Sequence, residues 1–246
     1  MNAVTGAYSR PTITKLQNAQ MNKFGSSPHF SRTVRNSIDG AAIADLVGQY
    51  GSPLFVFSEQ RLRRAIREAK IAFSSRYPKV TFGWSYKTNY LDAICAIFHQ
   101  EGSVAEVVSR MEYEKAKRLG MAGDAIIFNG PNKPLPTLRQ AVEEGVRIHV
   151  DHFDEIDDLE QVATESDREI SVAIRLSLDS GIQPQWDRFG FNLESGQALE
   201  AARRMEVGGR LKINGLHCHL GTFLLEPDAY RKAVEKMVAL KITGVK

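Results

Sequence analysis

Two hydrophobic periods take turns along this chain. Short apolar runs of strand length are followed by stretches with apolar residues every three or four positions, the spacing of a helix with one buried stripe. Ala41 to Tyr50 reads as a helix stopped by Gly51-Ser52-Pro53, and Leu54-Phe55-Val56-Phe57 as a strand. Ser58 then caps a helix whose Leu62, Ile66, Ala69 and Phe73 form the stripe. From Val80 the alternation is regular. Strands over 80–87, 103–108, 125–129, 147–150, 170–176 and 213–219 precede helices near 91–100, from Ser109, near 136–144, 154–163, 196–205 and 227–240. Ser109 and Glu112 make a capping box, and Gly120 and Gly145 supply stops. Six βα units without a hairpin signal predict an α/β fold on a parallel sheet. A (β/α)8 TIM barrel and a doubly wound sheet both fit. No G-x-G-x-x-G follows any strand, which weighs against dinucleotide binding.

The stretch Val80 to Asn89 carries the sharpest chemical signal. On a two-residue period Val80, Phe82, Trp84 and Tyr86 share one bulky face, while Thr81, Gly83, Ser85 and Lys87 share the other. In a barrel the bulky face meets the helices, and Lys87 lies at the C-terminal mouth where barrel enzymes keep their chemistry. A lysine confined in a dry mouth has its charged form disfavoured and becomes a nucleophile toward carbonyls. The competing reading is a strand-end lysine that reaches for water.

Composition changes this picture little. The chain has 246 residues, 43% hydrophobic and 25% charged, with a net charge of +3, too weak to argue for nucleic acid or a membrane. Two cysteines, Cys95 and Cys218, give no disulfide framework. No apolar run approaches membrane-spanning length and no signal-peptide core opens the chain, so the expectation is a cytoplasmic protein. Residues 1–35 are acid-free and poorly periodic and read as a flexible or peripheral arm; residues 36–246 read as a partial barrel domain.

Other residues add to Lys87. In Gly215-Leu216-His217-Cys218-His219-Leu220-Gly221-Thr222, both histidines point to the interior with His219 nearer the mouth, and Cys218 packs outward. An H-x-H pair can hold zinc, but no further ligands of convincing spacing accompany it, so no metal is expected. Arg175 sits inward between small residues, and a buried guanidinium must be paired or face an anion. Glu106 is an acid inside an apolar strand; a barrel lets it share a cavity with Arg175 and Lys87, either as a functional group of charges or as a structural ion-pair network. Asn129 and Asn132, in the turn after strand 125–129, are candidates on the substrate side. Gly221 and Thr222 offer backbone N–H groups and a hydroxyl to a phosphate, a weak signal by itself.

Taken together these stretches resemble the fold-type III pyridoxal-phosphate decarboxylases of diaminopimelate, ornithine and arginine, and the diaminopimelate branch most. Tyr86-Lys87-Thr88-Asn89 resembles the cofactor-lysine motif (Y/V)-K-A-N. Glu106-Val107-Val108-Ser109 with Glu112 resembles D-V-V-S-x-x-E, Ile126 to Lys133 the I-V-F-x-G-x-N-K turn, and Arg188-Phe189-Gly190-Phe191 the K-F-G-F loop. Gly215 to Thr222 resembles G-L-H-x-H-x-G-S. The resemblance implies an alanine-racemase-type barrel in which Lys87 joins pyridoxal 5'-phosphate, His219 stacks on its ring and Thr222 contacts its phosphate. Arg175 and Glu106 would lie near ring and lysine. It further implies an amino-acid substrate that loses its α-carboxylate as carbon dioxide, and a homodimer for the full-length protein.

Only about six of eight βα units are visible, and the family's glycine-rich phosphate loop, pyridine-nitrogen acid and C-terminal β-domain are not found. The expectation is therefore a fragment that holds cofactor poorly and is inactive alone. Meso-diaminopimelate, decarboxylated to lysine in lysine biosynthesis, is the first substrate expected; ornithine, lysine, arginine or a D-amino acid stay open. The residues after the lysine, Thr88 to Ile94, differ from the A-N-A-Y-G-H-G of an amino-acid racemase. A non-catalytic regulatory relative and a zinc-dependent barrel hydrolase stay open as well.

Overall fold

The computed structural model describes residues 35–182, 185, 188–222 and 224–240, so nearly all of the expected N-terminal arm lies outside the described residues. A small antiparallel pair, β1 (Ser37–Ile38) and β2 (Ala41–Ala42), leads into α1 (Ile43–Tyr50). Helix α2 (Glu59–Ser74) is capped by Ser58, whose Oγ accepts from the Arg61 N–H at 3.1 Å. Then follow β3 (Gly83–Ser85), α3 (Asp92–Gln100), β4 (Val104–Val107), α4 (Arg110–Arg118), β5 (Ile126–Phe128), α5 (Leu135–Glu143) and β6 (Arg147–Val150). The chain continues as α6 (Phe153–Glu165), β7 (Ile170–Ser177), β8 (Phe191–Asn192), α7 (Gln197–Gly208), β9 (Leu211–Cys218) and α8 (Pro227–Ala239).

Sheet order decides between the two architectures that the pattern leaves open. Strands β3, β4, β5, β6 and β7 each pair in parallel with the next in sequence, and β9 pairs with β7. The short β8 extends that same edge at the end of β7. A doubly wound sheet reverses strand order at a switch point; this one never does. The result is a partial TIM-type barrel whose β3 and β9 edges are not paired to one another among the described residues.

Burial follows the strand pleat. Ala105, Val107, Ile126, Phe128, Ile148 and Val150 turn to the helices and are buried, while Glu106, Ile127 and His149 between them turn inward. On β3 the expected bulky face is present: Trp84 stacks on Phe98 of α3 with centroids 3.7 Å apart, and Tyr86 is fully buried. Strand β9 contains a bulge. Val172 pairs with Ile213 but Ala173 pairs with Gly215, so Asn214 is an extra residue. Because of it Ile213, Leu216 and Cys218 all pack on the helix-side core. The strand expected at Leu54–Phe57 is not formed; these residues find no ladder partner among the described residues, and Phe55 is 88% exposed. Regular strand needs a neighbour to satisfy its backbone.

Helix α2 meets α3 through Ile66, the buried member of its stripe, which packs with Ile94 and Phe98, and through charge. Glu101 accepts from Arg63 Nη1 at 2.9 Å and from Arg67 Nε at 2.7 Å. These guanidinium bonds hold the Glu101 carboxyl at about 2, well below its ordinary 4.5. Its contribution is therefore complete above pH 4.5 and is lost as pH falls toward 2. We expect wild-type protein to be more stable than E101Q above that window, with the difference vanishing on acidification, as read by urea melts across the pH series.

Candidate active site

Parallel pairing brings the carboxyl ends of all the strands to one rim. Lys87 follows β3 in a turn fastened on several sides. The Tyr86 N–H donates to the Glu106 carbonyl at 3.0 Å, and Tyr86 Oη meets His99 Nε2 at 2.7 Å. Thr88 Oγ1 donates to the Ser85 carbonyl at 2.7 Å, and Trp84 Nε1 to that of Asn89 at 3.0 Å. The Lys87 side chain itself is exposed rather than enclosed in a dry mouth. It stands two residues beyond β3's last ladder pair, and β3 is an edge of the sheet.

Glu106 is the cross-strand neighbour of Ser85, and its Oε1 is buried without a hydrogen-bond partner among the described residues. Across the interior lies His219, just past β9. Burial lowers the His219 pKa first, then the nearby Lys87 and Arg175 cations, with Glu106 opposing them. Lys87, Arg175, Glu106 and His219 thus share one side of the sheet within electrostatic reach. His217, one layer deeper, faces His149 of β6 with ring centroids 4.9 Å apart. Desolvation pushes His217 down to about 2 and His149 down to about 4, so both rings are neutral at pH 7.

Arg175 is 6% exposed and is not paired with Glu106. Its Nη1 donates to Asp151 Oδ1 at 2.8 Å and to the Asn129 carbonyl at 3.2 Å, and its guanidinium lies 5.0 Å from the Phe189 ring centroid. Register explains the choice: Val150 pairs with Ile174, so Asp151, the residue just after β6, stands beside Arg175, whereas Glu106 is on a more distant strand. Asn129 is buried, and Asn132 and Thr222 are exposed at the same rim. Gly130 is required there, since a Cβ would fall 1.8 Å from the Val108 carbonyl oxygen.

A second charge pair lies underneath. Lys133 Nζ bonds the Glu155 carboxylate, the Gly130 carbonyl at 2.7 Å and the His149 carbonyl at 2.9 Å. The other Glu155 oxygen accepts from the Asp151 N–H at 2.8 Å. Burial pushes the Lys133 pKa down and the Glu155 pKa up, against their mutual attraction. The β4–α4 turn repeats the device: Ser109 caps the helix, and Glu112 Oε2 accepts from the Val108 N–H at 2.7 Å. In both turns a glutamate in the first helical turn closes on the backbone just before the cap. Asp151, Glu155 and the burial of Lys133 escaped sequence reading. The available signal was an acid directly after an apolar strand, with a glutamate four residues on.

Removing one member of a buried pair strands the other charge. K133M should lower unfolding stability by about 3–5 kcal/mol in urea melts, and the double variant K133M/E155L should recover part of that loss.

The geometry can be set beside known proteins. Residues 63–244 match the family described as pyridoxal-dependent decarboxylase, pyridoxal binding domain. The chain is 29% identical over 213 residues to diaminopimelate decarboxylase of Aquifex aeolicus, covering 82% of this chain and 49% of that protein. It is 31% identical over 206 residues to diaminopimelate decarboxylase of Methanothermobacter thermautotrophicus, covering 82% and 47%. It superposes on the crystal structure of diaminopimelate decarboxylase from M. jannaschii in co-complex with L-lysine with a TM-score of 0.75 at 26% identity, covering 85% of this chain and 52% of that one. The chain thus spans about half the length of the curated relatives it matches. A parallel barrel with its lysine, histidine and arginine on one rim, and a match over most of its length, place this chain in the pyridoxal-dependent decarboxylase family, as the pyridoxal-binding domain.

Proposed function

We propose that this chain supplies the cofactor half of an amino-acid decarboxylase whose substrate is meso-diaminopimelate and whose product is lysine. The observation that carries the reading is the gathering of Lys87, Glu106 and Arg175 around His219 on one rim. The substrate follows from the named relatives, which are diaminopimelate decarboxylases, one of them in complex with L-lysine. No helix among the described residues is long and apolar enough to cross a membrane.

The residues fit pyridoxal phosphate. Glu106 Oε1 is a buried acceptor in need of a donor, His219 is an imidazole whose charged form is disfavoured, and Lys87 is an accessible primary amine. When bound, the cofactor supplies an electron sink for the charge left on the α-carbon as a bond breaks. Lys87, an exposed primary amine, would be the residue that holds the cofactor through its aldehyde. His219 offers an uncharged flat face, which does not compete for the electrons the ring must accept. Arg175, fixed by Asp151, contributes a cation, and Glu106 a buried carboxylate oxygen that can accept from a bound group. Asn129 and Asn132 lie on the substrate side, and Thr222 on that of the phosphate. The full-length protein is proposed to be a homodimer.

Among the described residues β9 and β3 are not paired to each other, and Lys87 is exposed. The 246-residue chain alone is therefore proposed to hold the cofactor weakly and to turn over no substrate; carbon dioxide release from meso-diaminopimelate by the purified chain would overturn that part. Treatment with pyridoxal phosphate and borohydride should label Lys87 and leave K87A unlabelled by peptide mass. Labelling spread evenly over surface lysines would overturn the assignment of this rim as the cofactor site.

A further inference from the structure

Arg175 is the buried cation of the rim, and what fixes it has no part in the carbonyl chemistry of Lys87. Asp151 stands beside it, across the β6–β7 register, and its carboxylate takes Nη1 at 2.8 Å. Asp151 is only 5% exposed and is itself held from behind. Its N–H is bound by Glu155, whose other oxygen is bound by Lys133, whose ammonium also ties the carbonyls of Gly130, in the turn after β5, and His149 of β6. The Asn129 carbonyl, next to Gly130, returns to Arg175. The loop of contacts is closed: each charge is anchored to another strand end, and none depends on a ligand.

We propose that Asp151 is a positioning residue for Arg175, with Glu155 as its anchor, and that it sets the charge the site presents. Arg175 with its carboxylate partner forms a nearly neutral dipole at the rim; Arg175 without it is a net cation. The functional consequence rests on the reading of this rim as the cofactor site, but the positioning itself does not. A basic group at this rim gives up its proton at lower pH beside an uncompensated Arg175 than beside the Arg175–Asp151 pair.

Two measurements on the full 246-residue chain separate these claims. In the first, phenylglyoxal modification of Arg175 is followed by peptide mass, with exposed Arg64 as internal control. Arg175 in D151N should react about tenfold faster than in wild type, the size expected for loss of one charge-assisted hydrogen bond, while Arg64 is unchanged. An unchanged Arg175 rate overturns the proposal, and an equal acceleration of both arginines assigns Asp151 a merely structural role and also overturns it. If D151N shows no cooperative melt, E155Q is read by the same criteria. If neither variant melts cooperatively, wild-type protein decides: Arg175 as reactive as Arg64 overturns the proposal, and selective protection supports it. In the second measurement, the pH at which the absorbance of bound pyridoxal phosphate changes should fall by about one unit in D151N. An unmoved midpoint overturns the charge-setting role. If no variant binds pyridoxal phosphate, the functional reading fails while the phenylglyoxal result still decides the positioning.

Discussion

Parallel pairing of each strand with its sequence neighbour is the constraint from which the site follows. Such strands all begin at one end of the sheet, so every strand finishes at the same rim, and every βα turn starts there. The pleat then assigns alternate residues to a dry helix side and an interior side. Ala105, Val107, Ile126, Phe128, Ile148 and Val150 fill the dry side completely. Any charge on these strands is left to the interior, and any charge one residue past them reaches the rim. Lys87, Asp151 and His219 all follow strand ends, and Arg175 belongs to β7, shortly before its end at Ser177.

Crowding of charge at one rim has an energetic consequence. Arg175, Asp151, Lys133 and Glu155 are all nearly excluded from water. Each would be strongly unfavourable alone, so they are tolerated only as pairs joined through backbone carbonyls and N–H groups. That arrangement makes β5, β6, β7 and the start of α6 a single braced corner. The opposite side, at Lys87, is built differently. There the side chain is exposed, and what is fixed is the turn beneath it, through Tyr86, Trp84 and Thr88. One corner supplies rigid charge and the other an accessible amine.

Much of this was legible in the residues. The alternation of periods gave the helices and strands nearly in place, the small-residue face of β3 pointed to Lys87, and ordered motifs from Tyr86 to Thr222 pointed to the family. Three things were not legible. Leu54–Phe57 has the composition of a strand but no ladder partner among the described residues. Arg175 reads alongside Glu106 because both are charges within apolar strands, whereas its partner is Asp151, on the next strand over. A uniform two-residue period turns His217 and His219 inward, yet it would put Ile213 on their face as well. Only the bulge at Asn214 lets Ile213 pack outward while both histidines turn in.

The sequence by itself determined which segments are strand or helix, and which side chains carry reactive groups, because period, capping and composition act over a few residues. It determined the likeness to a family as well, because ordered motifs need no geometry to be recognised. The likeness also implied the barrel, which the strand order bears out; tertiary structure alone decided that Arg175 answers to Asp151 and that Lys133 is buried against Glu155. Each of these depends on which strand lies beside which and in what register, and residues far apart in the chain encode that only jointly.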